Sequence, residues 1–475
     1  MTSESLFVPF LQNHLDSKEN CATLDKKKPR LVGIFESEEW NMDPFKNMPV
    51  PTAPEPEVEA RMAAESAYTV IGEETTDRRT DKATFASTGT AGSSAIYARD
   101  GGTLYLKNPE IHGWGEMTQE DLRNELGSKY GFSAAVLSNQ KTSHVTLVNP
   151  KIVCHESSTA NGAYAIFGGA VVIEGGTIDT NNRQGHGVDA SYGGHVYCNG
   201  TVIHTGGRNS GALATDFQGG YITVRDIHAT TEIAGSPGIY TAGKSIISAY
   251  NSTFVSKGCE AVMVAHSLGH TYLYDCDLTG TVGLNTHNSM SPEYSYIHMF
   301  GGKLSSTVGS ILCAEDGKAV MNLDHVTIAP PADGNLAFAK AGGRLVANLT
   351  EMQANGNVDR EKGSYLEVCL KRAELRGTVN ATSLKLEADS KWTVTGDSKV
   401  AVLDVEANAE ITAEKPVTVT YGTLAKGTVL PTAKNVTFVA DPSLTDDYAE
   451  KKMMPPPGGP GAPGPGMPPP PPPAD

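Results

Sequence analysis

Between residues 95 and 340 the chain repeats one short phrase: a small residue, a branched apolar residue, alternation, then a Gly-rich break. The phrase reads Ala95-Ile96-Tyr97, Ala135-Val136-Leu137, Ala165-Ile166-Phe167, Gly187-Val188-Asp189, Ala212-Leu213-Ala214, Gly238-Ile239-Tyr240, Ala261-Val262-Met263, Gly283-Leu284-Asn285 and Ser310-Ile311-Leu312. Apart from one longer gap after the first unit, the period is roughly 22 to 30 residues, the regime of solenoids. Each unit holds a strand-like stretch such as Val171-Val172-Ile173 or Tyr221-Ile222-Thr223-Val224, with β-branched residues at period two. Helical periodicity is almost absent there. A unit this short, made of strands and Gly turns, predicts one coil of a parallel β-helix. The expected fold class is all-β, with a single solenoid carrying most of the chain.

Length alone would allow two or three domains in 475 residues, but the repeat argues for one solenoid with appendages. Residues 1–80 read as an irregular arm or cap, with a basic Lys26–Arg30 run, a Pro-rich run from Pro49 to Pro56 and a short helix near 57–66. Residues 81–340 read as regular coils, with a helical insertion near 116–130 that opens on the capping residue Thr118 and stops at Gly127. That insertion reads either as a surface decoration or as a lid over a groove. Residues 341–440 read as less regular β-coils, and residues 441–475 as a disordered tail. The tail's Pro, Gly, Ala and Met favour polyproline II, so a proline-rich-motif-binding domain is a candidate partner.

The formal charge of −16, with no basic cluster among the repeats, argues against nucleic acid or an anionic membrane. No apolar run is long enough to span a bilayer. The first residues lack the basic and apolar regions of a secretory signal, which favours a cytoplasmic location; a leader missing from this sequence would make the protein secreted. Seven scattered cysteines, an odd number, read as reduced and mostly packed. Cys198 reads as an inert inward thiol, with an outward, reactive orientation as the alternative. No glycine fingerprint or P-loop occurs, so no cofactor is expected.

A coil has a fixed rung height, so its side chains can be read as columns. If the branched residue of each phrase points inward, the next one points out, and so does the one two further along. The first outward column reads Asp189, Ala214, Tyr240, Met263, Asn285; the second reads Ser191, Asp216, Ala242, Ala265, His287. Asp189 and Asp216 then fall on adjacent rungs, roughly 6 to 9 Å apart. Two carboxylates beside the Tyr240 phenol can divide acid and base roles, because like charges push one pKa upward. His186, just before the Asp189 strand, and His266 are placed to orient a substrate, with Met263, Asn285 and His287 lining its path. An ordinary solvated polar face explains the same residues. His266, His270 and His287 with Asp275 do not reach metal-ligand spacing, His266 and His270 being expected on a turn, so no metal is expected.

The phrases Gly92-Ser93-Ser94-Ala95-Ile96-Tyr97-Ala98, Ala214-Thr215-Asp216-Phe217-Gln218-Gly219-Gly220, Ser236-Pro237-Gly238-Ile239-Tyr240, Glu260-Ala261-Val262 and Trp392-Thr393-Val394-Thr395-Gly396 carry a resemblance. Over about residues 91–396 the chain resembles bacterial adhesin-like, right-handed parallel β-helix proteins of the broad pectate-lyase-like superfamily. The resemblance implies a right-handed parallel β-helix and, as a function, secretion and adhesion. The chain departs from that group in lacking a leader, in its additional His and Cys, and at Ala265, where the group tends to place an acidic residue. Gly185-His186-Gly187 is similar to one element of polygalacturonases, without their companion Asp and Arg-x-Lys elements.

Two functions follow. One is an intracellular, metal-independent acid/base enzyme of lyase, isomerase or cyclase type, acting on a hydroxylated or polyketide-like metabolite through Asp189, Asp216, Tyr240 and His186. The other is a non-catalytic surface that binds an extended glycan or a protein partner.

Overall fold

The structure is a computed structural model that describes residues 51–71, 76–79, 83–155, 160–265, 268–287 and 293–449. Most of the N-terminal arm, the Pro-rich tail beyond residue 449, and His266 lie outside the described residues. The chain forms an all-β, right-handed-type parallel β-solenoid of about 13 turns with 5% helix. The fold-level likeness to parallel β-helix proteins is thereby plain.

Three parallel sheets form the faces of the coil stack. A 12-stranded sheet holds every third strand from Thr69–Val70 to Asn357–Arg360, and a 10-stranded sheet ends at Thr327–Ile328. The 16-stranded sheet continues to Val436–Ala440, so residues 341–440 extend the same stack, with a 4-stranded sheet replacing the third face. Period-two burial generates these faces. In His195–Asn199 the inward Val196 and Cys198 are buried between partly exposed neighbours, and the strand pairs in register with Tyr221–Arg225. Cys198 therefore points inward, where burial raises its thiol pKa and leaves it inert.

The tight corner before eight successive third-sheet strands takes a left-handed Asn, Asp or Gly: Asn108, Asn149, Gly175, Gly200, Asp226, Asn251, Asp275 and Gly301, with His325 before the last strand. Asn, Asp and Gly are the residues that adopt this conformation at least cost, which accounts for their regular recurrence. On the inner side, Thr180, Thr205 and Thr231 stack rung on rung, each donating to a carbonyl five residues on. These bonds pin the loops that lead into the first sheet.

In the first sheet, Ile96, Val136, Val188, Leu213, Ile239, Val262 and Leu284 stack inside one continuous core. Two phrases are out of step. Ala163, not Ile166, stacks on Val188, and Leu312, not Ile311, stacks on Leu284. Ile166 instead points outward into a second apolar cluster. His270, expected on a turn, opens the second-sheet strand His270–Tyr274.

That second cluster lies outside the coil. Helix α1 (Pro56–Glu65) and the insertion helices α2 (Gln119–Arg123) and α3 (Leu126–Tyr130) bury Val58, Met62, Leu126, Tyr130 and Phe132 against Tyr97, Leu137, Tyr164 and Ile166. Thr118 caps α2 through a capping box with Asp121, which Arg61 of α1 grips at 2.8 Å. Gly127 does not end the insertion. Glu125 breaks the helix in a left-handed conformation, and α3 runs on until Gly131 closes it with φ of 64°. Glu59 of α1 fixes the dock by accepting from Tyr97 at 2.8 Å, Asn139 at 2.9 Å and Arg99 at 2.8 Å.

Candidate active site

The outward columns have the expected register. Asp189 pairs with Ala214, Ala214 with Tyr240, Tyr240 with Met263, and Met263 with Asn285. Ala242, Ala265 and His287 follow in the second column. What the sequence did not reveal is the cover. Asp189 is wholly buried, and the Asp216 side chain keeps only 14% of its exposure.

Asp189, Asp216 and His186 meet with one polar atom from each inside a 4.8 Å circle. This is closer than the rung-and-pleat expectation. Ala214, between the two carboxylates on the sheet, is too small to hold them apart. Neither Asp189 oxygen has a hydrogen-bond partner, nor has Asp216 Oδ2. Among the described residues, the one basic group within ion-pair reach of the pair is His186, whose Nε2 stands 3.9 Å from Asp216 Oδ2.

His186 is held at its backbone and at its ring. Its N–H donates to Asn161 Oδ1 at 2.7 Å, and the Gly211 N–H donates to its Nδ1 at 2.9 Å. A neutral ring that accepts at Nδ1 must carry its proton on Nε2, the atom facing Asp216. Burial holds the imidazole neutral, lowering its pKa to about 4. The flanking glycines answer to packing: a Cβ on Gly187 would lie 2.4 Å from Ile203 and 2.6 Å from the Ala212 carbonyl. Gly185-His186-Gly187 thus marks a close approach of neighbouring coils.

The same tautomer decides whether a metal suits the site. A histidine that ligates through Nε2 normally donates its Nδ1 proton to an acceptor. Here Nδ1 faces a donor, so ligation at Nε2 would require an imidazolate. The donor set suits a shared proton.

Burial raises both carboxyl pKa values. Asp189 stands well above the usual range, first by desolvation and then by the charge of Asp216. Asp216 is pushed up to about 7, first by desolvation, with the charge of Glu125 of the insertion adding to the rise. At neutral pH these shifts leave the pair between one and two protons, with Asp189 the better keeper and Asp216 near its midpoint.

No protein-family model and no curated protein matches the chain. The reading of the site accordingly rests on its own geometry.

Around the pair, Tyr240 lies with its ring parallel to His186 at 6.3 Å, and desolvation keeps its phenol protonated. Tyr164, one rung before Asp189, donates to the Ser128 carbonyl of α3 and lies 2.6 Å from Ser191 Oγ. Lys129 of α3 sits over the Phe217 ring at 5.4 Å, beside Asp216. Tyr130 stacks on Tyr192 at 5.9 Å. The insertion is thus seated on the rungs that carry the carboxylates.

The other candidates divide. Met263 lies one rung beyond Tyr240. Asn285 bonds Glu260, and His287 faces Asp316 at 3.1 Å and Glu315 at 3.6 Å, so neither touches the carboxylate pair. His266 lies outside the described residues. Tyr164, Glu125 and Ser128 are not among the residues the sequence singles out, and Ser191 appears there only as a member of the second column. The register could have supplied Tyr164 had the phrase been read as Ala163-Tyr164 rather than Ala165-Ile166.

Proposed function

We propose that the protein is an acid/base enzyme that removes a carbon-bound proton and returns or relays one, as in an elimination or an isomerisation. The observation that carries this reading is a pair of buried carboxylates with, among the described residues, only the neutral His186 ring in ion-pair reach, an arrangement that favours keeping a proton near neutral pH. Asp216, the more accessible and the one ionised near pH 7, is the base. Asp189 holds the proton and is the acid. In an elimination, Asp216 takes the proton from carbon, the electron pair forms the double bond, and a protonated group delivers a proton to the departing hydroxyl. Water leaves, and with Asp189 as the donor the pair ends with as many protons as it began, so the proton on Asp216 need only pass back to Asp189 before the next turnover. In an isomerisation the proton taken at one carbon returns at another.

The His186 Nε2–H and the Tyr240 phenol, both protonated, orient and stabilise the oxygen that gains charge. The low-dielectric surroundings that raise the carboxyl pKa values also strengthen these hydrogen bonds. A hydroxylated or polyketide-like carbonyl compound fits such a site, since its acidic C–H and its leaving hydroxyl lie a few bonds apart.

A glycan-binding surface has less support. The aromatic side chains on the second sheet, Tyr250, Tyr274 and Phe300, stack face to face at 4.9 and 5.1 Å. Their faces are consumed by one another, which leaves mainly ring edges for a sugar.

Incubation of a panel of hydroxylated ketones and acyl compounds with the protein in D2O, read by mass spectrometry, tests the reading across the whole substrate class. The expected result is deuterium uptake or loss of water for some members with the wild type and none with Asp216→Asn. Identical traces for both proteins would contradict it.

A further inference from the structure

The column that carries Asp189 carries a second polar group farther along. Asn285 stands three rungs beyond Ala214, the level of Asp216, or about 14 Å along the coil axis at 4.8 Å per rung. Its side chain is almost fully buried, at 1% exposure. Its Nδ2 donates to Glu260 Oε1 at 3.0 Å, while its Oδ1 has no hydrogen-bond partner. Glu260 is itself anchored, since the Cys259 thiol donates to its Oε2 at 2.6 Å. A carboxylate only accepts, so it takes the amide N–H and fixes which way the amide faces. Oδ1 is left as an acceptor and nothing else. A buried acceptor without a partner is costly, and a ligand that supplied a donor would remove that cost.

The surface between the two polar ends has a different chemistry. Tyr240 and Met263 occupy the first column, and Ala242 and Ala265 the second. Tyr240 and Met263 are partly exposed and the alanines are buried beside them. A ring, a thioether and two methyl groups favour a hydrocarbon segment. A sugar would have to bury unpaired hydroxyls there.

We propose that Asn285 is a distal binding residue that accepts a hydrogen bond from a hydroxyl or amine at the far end of an elongated substrate, whose hydrocarbon middle lies over Tyr240 and Met263. Glu260 is a positioning residue that holds the amide. The inference rests on the acid/base reading only for which end of the substrate reacts.

Calorimetric titration with α,ω-diols from 1,6-hexanediol to 1,12-dodecanediol, against the 1-alkanols of equal length, tests it. The diol affinity should peak at one chain length, where the diol should exceed its alkanol by about five- to tenfold, the worth of one hydrogen bond. Asn285→Leu should erase that preference and leave alkanol binding in place. Glu260→Gln should reduce the preference without changing alkanol affinity. If Asn285→Leu melts early, Asn285→Ala serves, with the melting temperature as the check on folding. Absence of diol binding, equal binding of diol and alkanol by the wild type, or a preference that survives in the Asn285 variant would overturn the assignment. A linear oligosaccharide whose binding depends on Asn285, with diols inactive, would overturn the hydrocarbon middle. Binding is read without turnover, so an inert carboxylate pair would leave this result standing, and loss of the diol preference would leave the acid/base reading standing.

Discussion

Asp189 and Asp216 share a sheet face with Glu315, a few rungs along, yet the two places treat a carboxylate in opposite ways. Around Asp189 and Asp216 the insertion and the small Ala214 produce burial without a cation, and both pKa values rise. At Glu315, His287 and Lys340 supply positive charge, and the pKa falls to about 2 despite partial burial. The backbone is the same repeated coil in both. What differs is which neighbours cover the face, so chemistry on a solenoid wall is set by its decorations rather than by its rungs.

The contrast is broken most severely at the base. Asp216→Asn should lower turnover of the substrate by about 10²- to 10⁴-fold, the usual contribution of a positioned base. A charge change at the paired end, such as Lys340→Met, should leave the rate nearly untouched. Steady-state kinetics of the two variants would show whether reactivity follows the unpaired carboxylates.

A second test uses the opposite signs of the two pKa shifts. For Asp216 the folded value exceeds the unfolded one, so its contribution to stability is complete below about 4 and is lost as pH rises through about 7. Glu315 is the reverse, its contribution being present above about 4.5 and lost as pH falls through about 2. Chemical denaturation of the Asp189→Asn/Asp216→Asn variant should remove a loss of a few kcal/mol between pH 4 and pH 8. The acid limb should be unchanged.

At the paired end, Lys340→Met should destabilise by less than about 1 kcal/mol at pH 7, because both side chains are partly exposed and water screens the pair. Added salt should shrink that difference, visible in melting curves at two ionic strengths. The smallest effect belongs to Glu125, an exposed insertion residue that acts on Asp216 only through its charge. Glu125→Gln should shift the midpoint of the Asp216 titration slightly downward, and high salt should mask the shift.

The columns were legible because a strand cannot change the side of its alternate residues, and Val188, Leu213, Ile239 and Val262 fix the phase. The cover was not legible. Ile166 is as apolar as a core residue, and it can point outward because it packs in the outer cluster with residues of α1 and α3, which come from distant parts of the chain. That misreading concealed Tyr164 and left Asp189 on an open outward face. The orientation of His186 was also beyond the sequence, since it depends on one backbone N–H in the next coil. At Gly187 the reverse held: the glycine was visible, but its reason, the approach of Ala212 and Ile203, was not.

Carbon-13 NMR of the aspartate side-chain carboxyls across pH 3 to 9 addresses the shared proton directly. One resonance absent from Asp216→Asn should titrate near pH 7, with the Asp189 carboxyl still protonated at that pH. If both carboxyls ionise below pH 5, the pair holds no proton at neutrality and no acid/base centre exists on this wall.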